Sequence, residues 1–356
     1  MKTLCFFGAW DPAYPRNRIL REGARRAGFG VLEVRARGTR AFRRWPALAA
    51  EFVRAGRAAD VMVVPEFRHK DVPLAALLRG RRPLVFDPLV SRWDTLVGDW
   101  KIHGQRSGQA RWNRMLDRWS LGLADRVLCD TWAHGELFES LGVPRAKLRR
   151  VLVGAEDAFF EVGPPPADGP LRILYVGGFL PLHGTRTMIE AAAILESRGS
   201  ALPPWVLQMV GRGIEFEDMK TLAAERALAN VEFPGMLPYE DAPRVFEQAH
   251  VALGAFGAGE KTARVVPHKL YQGLASGRAV VTGDGPGVRE VFTADRDLVL
   301  VPRANAEALA AALEALLLDA GRREALGAAG RSRALEVATP DAIGRSLAEA
   351  LEGLAA

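Results

Sequence analysis

The chain alternates short apolar runs with longer stretches in which apolar residues return every three or four positions. Thr3–Phe7, Val31–Val34, Ala59–Pro65, Pro83–Phe86, Arg126–Cys129 and Leu148–Val153 are runs of the first kind. They are too short for helices and apolar enough for strands buried on both faces. Between them Arg16–Ala27, Phe42–Ala55, Leu74–Leu78, Arg111–Leu123 and Trp132–Leu141 have helical spacing. The alternation pauses at Glu161–Pro170 (EVGPPPADGP) and then restarts. Leu171–Val176, Trp205–Val210, Val231–Phe233, Val251–Gly254, Ala279–Thr282 and Leu298–Val301 read as strands. Thr185–Leu195, Glu217–Ala227, Pro243–Ala249, His268–Ser276, Val288–Phe292, Glu307–Leu318, Arg322–Leu335 and Pro340–Leu354 read as helices. Strands that alternate with helices predict parallel sheets covered on both sides. The expectation is therefore an α/β chain of two doubly wound, Rossmann-like domains, residues 1–160 and 171–339, joined by a proline spacer at 161–170. Ligands of such sheets bind at the carboxyl ends of the strands, and two domains make the cleft between them the expected site.

Two stretches at such strand ends carry candidate chemistry. In LRILYVGGFLPLHGTRTMIEAAAIL (Leu171–Leu195) a strand breaks at Gly177 and Gly178, and a helix follows Gly184. Free backbone N–H groups and the helix dipole make that turn suited to an anion. In GAFGAGEKTARVVPHKLYQGLASGRAVVTGDGPGVREVF (Gly254–Phe292) a glycine loop leads to Lys261 and Arg264. His268 and Lys269 open a helix, and Gly285 and Gly287 precede another. Two helix starts with Lys261, Arg264 and Lys269 suit an anion of more than one charge, such as a diphosphate.

Composition narrows the setting. Cys5 and Cys129 lie in apolar runs and read as buried thiols, which points to a reducing cytoplasm. The six histidines show no zinc spacing, so no metal is expected. No apolar run approaches the roughly 18 residues of a membrane span. The net charge of +6 hides an asymmetry: residues 1–160 hold 29 Lys and Arg against 17 Asp and Glu, and residues 161–356 hold 19 against 25. The basic half could meet an anionic surface, and Arg35, Arg37, Arg40, Arg43 and Arg44, with Phe42 and Trp45 among them, form the segment expected to lie on an anionic membrane. A solvated basic face is the alternative.

The order of these motifs resembles the family-4 glycosyltransferases of the GT-B fold. YVGGFLPLHGTRTMIEAAAIL looks like the opening of their C-terminal domain, and His268–Glu290 like their donor-binding segment. NVEFPGMLPYED is similar to their NVxFxGxVPxxE loop, and VLCDTWAHGELFESLGVPRAKLRRVLVGAEDAFF to the end of their N-terminal domain. The resemblance implies a retaining transfer of a sugar from a nucleotide diphosphate sugar to a hydroxyl acceptor. That acceptor would be a sugar, a small molecule or a lipid-linked group of the cell envelope, with no cofactor, metal or nucleic acid required. It also implies that the final helix, within 340–356, packs back on the first domain. Donor contacts are implied at Gly178, His183, Gly184, Gly211, Lys261, Arg264, His268, Lys269, Gln272, Gly285, Gly287 and Glu290. His183 stands where the family has lysine. The family's paired glutamates fall on Arg264 and Gln272, so Lys261 or Arg264 would supply phosphate charge and Gln272 a ribose contact. Asp87 falls where many members carry a histidine facing the transferred sugar, with Asp94 and His103 as further catalytic candidates. Arg16 and Asn17 follow the first strand and are candidate substrate contacts, and Trp10, Trp93, Trp100 and Trp112 could line an acceptor site. The competing readings are an epimerase of the same fold and a degenerate protein that only binds nucleotide sugar.

Overall fold

The computed structural model describes residues 2–38 and 40–354, which divide into two compact units. The first runs to Val153 and takes up the chain again from Pro340; the second is Gly154–Thr339.

In the first unit β1 (Thr3–Gly8), β2 (Gly30–Arg35), β3 (Val61–Val64), β4 (Leu84–Phe86), β5 (Arg126–Cys129) and β6 (Leu148–Arg150) form one parallel sheet in the order β2-β1-β3-β4-β5-β6. Alternate residues of these strands, among them Cys5, Phe7, Met62, Val64, Leu84, Phe86, Val127 and Cys129, enter one core cluster, as the period of two along a strand requires. Both cysteines are buried free thiols. The helix Pro340–Leu351 packs on Pro15–Arg26. Gly23 and Gly344 let the two backbones meet: a Cβ on Gly344 would lie 2.2 Å from the Gly23 carbonyl oxygen. Arg26 and Asp341 close the same contact at 2.8 Å.

The second unit repeats the plan. β7 (Leu171–Val176), β8 (Trp205–Val210), β9 (Val231–Gly235), β10 (Val251–Leu253), β11 (Ala279–Gly283) and β12 (Val299–Val301) form a parallel sheet ordered β12-β11-β10-β7-β8-β9. Its core includes Ile173, Tyr175, Leu207, Met209, Val251, Leu253 and Val281, and burying each such aliphatic side chain contributes about 1.5–3 kcal/mol. The strand order reverses beside β7, whose neighbours are β8 and β10, so the crevice of this sheet lies beyond the carboxyl ends of β7 and β10. In the first unit the same reversal lies between β1 and β3.

Several expectations change. The division falls after Val153, not at the proline run. Pro164–Pro166 is fastened within the second unit: the His250 ring bonds the Pro166 carbonyl at 3.0 Å, and the Arg278 guanidinium donates to the Gly163 carbonyl. Those bonds satisfy carbonyls that a free linker would leave to water, so this segment is part of the second unit and not the free spacer expected at 161–170. The short helix Asp157–Phe160 also belongs to the second unit. Glu260–Arg264 is a helical turn where a loop was expected. Asp94–Asp99 forms a π-helical turn where the pattern suggested only loop. Among the described residues no helix is long and apolar enough to cross a membrane.

Candidate functional site

The crevice beyond β7 is built around Tyr175. Its ring is fully buried edge-on against Phe179, with centroids 5.6 Å apart. Its hydroxyl donates to the Gly178 carbonyl at 2.5 Å and lies 2.9 Å from His183 Nδ1. Nδ1 also bonds the Gly178 carbonyl. A carbonyl only accepts, so the Nδ1 facing it carries the proton, and the remaining Nε2 is an acceptor while the ring is neutral. The ring is neutral because burial first, then the Lys269 and Lys261 charges, push its pKa well below the ordinary histidine value.

Lys269, second residue of the helix His268–Ala275, reaches this group across Gly177. A Cβ on Gly177 would lie 2.6 Å from Lys269 Cε and 2.8 Å from Nζ, so only glycine leaves the ammonium its place. Nζ lies 4.9 Å from the centre of the Tyr175 ring. Lys269 is buried, and among the described residues no acidic side chain pairs with it. Burial pushes its pKa down to about 7. Lys261 is buried in the turn Glu260–Arg264. That turn is tied to the histidine loop by Thr262 Oγ1, which donates to the Leu182 carbonyl at 2.9 Å, while Phe256 N donates to the His183 carbonyl at 2.9 Å. The loops after β7 and β10 thus gather Lys261, Lys269, His183 and Gly178 at one end of the sheet.

Gln272 belongs to a second, adjoining network. Its Nε2 donates to Tyr239 Oη at 2.8 Å, and Tyr239 donates to the Glu156 carboxylate, 2.9 Å from each oxygen. Because Tyr239 gives its proton to Glu156, its oxygen can only accept from residue 272. The amide is therefore turned with Oε1 away from Tyr239, as an acceptor. A glutamate here would set two acceptors against each other, which explains the amide where the resemblance leads one to expect an acid.

The remaining candidates have other uses. Gly184 sits at φ 64° against the Phe256–Gly257 peptide, where a Cβ would come within 2.5 Å of the backbone. Gly211 backs onto the Gly177 carbonyl, and Gly285 and Gly287 pack on the backbone of Ala263 and Arg264. At each of these positions close backbone packing leaves no room for a side chain. The helix after them, Pro286–Arg289, has four residues, too few to build a useful dipole, and Arg289 is bonded to Asp284 at 2.6 Å. Arg264, His268 and Glu290 are partly buried at the rims of these short elements.

In the first unit Asp87 ends β4 as expected, but it does not present an unpaired carboxylate. Arg16 grips it with two bonds, 2.9 and 3.1 Å, and donates a further one to the Leu152 carbonyl at 2.5 Å. Both side chains are essentially fully buried. That pairing corrects the expectation that Asp87 faces a sugar, and it makes Arg16 part of the frame. Asp94 is buried at the start of the π turn, with its backbone N bonded to Ser91 Oγ at 3.0 Å, and His103 is half-buried after that turn. The structure does not bring His103 into a polar cluster with Asp87. The titratable carboxyl that sequence reasoning missed is Glu66, just past β3 at the strand reversal. It is buried, and burial first, then the Asp87 and Asp11 charges, push its pKa up to about 8 against the Asn17 and Arg68 contributions. At neutral pH it holds a proton. The one signal in the sequence was an acid placed directly after the apolar run ending at Pro65.

In the basic segment 35–45, Arg44 is buried on Asp71, with Nη2 2.7 Å from the carboxylate, and Trp45 packs against the core, while Arg35, Arg37, Arg40, Phe42 and Arg43 are exposed. A ligand-sized hollow of about 580 Å³ opens nearby, past β1 and β2, lined by Trp10, Asp11, Arg35 and Arg37. Arg21 and Arg35 lie over the Trp10 ring at 4.9 and 5.2 Å. Among the described residues no group of three or more His, Cys, Asp or Glu is placed to hold a metal.

Residues 158–333 match the profile of the family described as Glycosyl transferases group 1. The chain is 29% identical over 229 residues to the amylovoran biosynthesis glycosyltransferase AmsK of Erwinia amylovora, covering 63% of this chain and 54% of that one. It spans about half the length of the curated relatives it matches. Among solved structures, Anabaena HepE in complex with UDP-glucose superposes with a TM-score of 0.73 at 14% identity, covering 99% of this chain and 100% of that one. Sucrose-phosphate synthase from Thermosynechococcus elongatus does so with a TM-score of 0.73 at 17% identity, covering 98% of each chain. The fold is GT-B.

Proposed function

We propose that this protein is a retaining glycosyltransferase that moves a sugar from a nucleoside diphosphate sugar to a hydroxyl acceptor, with the second unit holding the diphosphate. The observation that carries the reading is Lys269. A buried ammonium without a carboxylate partner is costly unless an anion arrives to meet it, and it stands with Lys261 at the strand ends where such sheets bind nucleotides. Charge builds on the leaving diphosphate as the sugar departs. Cations already in place there lower the barrier without reorganising. Gln272 Oε1, fixed as an acceptor, suits a ribose hydroxyl, and His183 Nε2, also an acceptor, suits a hydroxyl of the donor better than a phosphate oxygen. Phosphate binding thus falls to the lysines and backbone N–H groups. In the first unit protonated Glu66 is the better-placed acid, and Asp87 supports Arg16. No step needs a metal.

UDP is the first nucleotide to try, because HepE has been solved with UDP and with UDP-glucose. Calorimetry with UDP, GDP, ADP and dTDP should show one of them binding, and its sugar conjugate should release the diphosphate only when an acceptor is added. Binding without release under any acceptor would favour the degenerate binder. Interconversion of the sugar without an acceptor would mark an epimerase. Binding of none of the four nucleotides would end the proposal.

A further inference from the structure

The helix Gly108–Leu123 is capped by Ser107, whose Oγ accepts from Ala110 N at 3.1 Å. One side of it enters the first unit through Ala110, Asn113, Leu116, Asp117, Ser120 and Leu121. Its outer side carries Trp112, Met115 and Trp119, which are 46%, 49% and 48% exposed. Spacings of three and four place these three in a single stripe. Arg111, Arg114 and Arg118, all exposed, run alongside them. An open groove of about 510 Å³ lies among Arg111, Arg114, Met115, Arg118 and Trp119. One exposed apolar residue needs no explanation, but two tryptophans and a methionine in register on one helix face do.

The surrounding charge identifies what the stripe fits. Residues 61–126 contain seven acidic side chains. Glu66, Asp71, Asp87, Asp94, Asp99 and Asp117 are buried, and Asp125 is bonded to Arg79. The same segment exposes Lys101 and Arg106 besides the three arginines of the helix. Among the described residues no carboxylate pairs with Arg111, Arg114 or Arg118. The acidic groups of this segment are thus buried or bonded, while the arginines beside the apolar stripe are exposed.

We propose that the outer face of Gly108–Leu123 binds an anionic lipid bilayer, with Trp112, Met115 and Trp119 at the headgroup boundary and the arginines on lipid phosphates. Tryptophan is suited to that depth because its ring is apolar and its N–H is not. Arginine at a negatively charged leaflet gains attraction that a neutral surface does not offer. A second copy of the chain is a poorer occupant, since a twofold contact sets this patch against itself and arginine against arginine. The face differs from segment 35–45, in which Arg44 and Trp45 are turned inward. The inference does not depend on the transferase reading.

The test is flotation of the full chain with vesicles of phosphatidylglycerol and phosphatidylcholine, and with phosphatidylcholine alone. Wild type should float with the anionic vesicles, stay behind with the neutral ones, and be released by high salt. Both the pair Trp112→Ser and Trp119→Ser, and the triple Arg111→Gln, Arg114→Gln and Arg118→Gln, should lower the bound fraction at least about tenfold. Because every substituted side chain is exposed, melting temperatures should hold, and a brominated lipid should quench wild-type tryptophan emission. A triple Arg37→Gln, Arg40→Gln and Arg43→Gln should float like wild type. The proposal is overturned if wild type does not float, or if the tryptophan pair floats unchanged. It is equally overturned if only the 37–43 variant loses binding, or if the face captures a single-stranded oligonucleotide or forms a dimer in preference to vesicles.

Discussion

The two units treat buried charge in opposite ways. In the first, three buried ions have clear partners: Arg16 with Asp87, Arg44 with Asp71, and Asp117 with the Ser91 hydroxyl and the backbone N–H groups of Arg92 and Trp93. In the second, Lys269 is buried beside a glycine and an aromatic ring, with no carboxylate. A paired buried ion serves the architecture. An unpaired one is kept at a cost to the fold, and what offsets that cost has to come from outside. Two buried cations, Arg16 and Lys269, thus separate frame from site.

The largest effect should come from breaking a pair. Asp87→Asn leaves the Arg16 charge buried without its counter-ion, which costs about 3–5 kcal/mol. The unfolding transition of the first unit in urea should shift down accordingly, while nucleotide binding by the second unit stays near wild type. An unchanged transition would show that the pair is not structural and would return Asp87 to the reaction.

Lys269→Ala should do the reverse. It removes a buried charge that nothing pairs, so thermal stability should hold or rise. Nucleoside diphosphate affinity should fall by about 1.5–3 kcal/mol, the worth of a charge-assisted hydrogen bond. Equal affinity in calorimetry would remove Lys269 from the site, and a lower melting temperature would place it with the paired ions of the first unit.

The smallest effect is in pH. Burial holds Lys269 at about 7 in the free protein, and a diphosphate binds the ammonium form and raises that value. Affinity should therefore be near its full value about one unit below pH 7 and fall as pH rises through it, by up to about tenfold per unit, with proton uptake visible in buffers of different ionisation enthalpy. Lys269→Arg, which stays charged, should flatten the profile. A wild-type profile as flat as that of Lys269→Arg between neutral and alkaline pH would mean that the ligand does not meet this ammonium.

The sequence by itself determined the elements. Each strand is a local apolar run, each long helix a local periodicity, and their alternation leaves a parallel, doubly wound sheet as the one arrangement that buries both faces. The glycine turn at 177–178 and Lys269 at a helix start were legible for the same reason, since turn and helix signals act over a few residues. What tertiary structure alone decided acts over long separations. Arg16 meets Asp87 across 71 positions, which turned an expected catalytic acid into part of the frame. Tyr239 and Glu156 decide which way the Gln272 amide faces. His250 and Arg278 fasten the proline run that looked like a free spacer, and Gly23 meets Gly344 to bring the last helix home. Trp112 and Arg44 differ in nothing local that says which faces outward. A side chain's type and its neighbours along the chain set its conformational preferences, but its charge state, its partner and its exposure are set by what the fold packs against it.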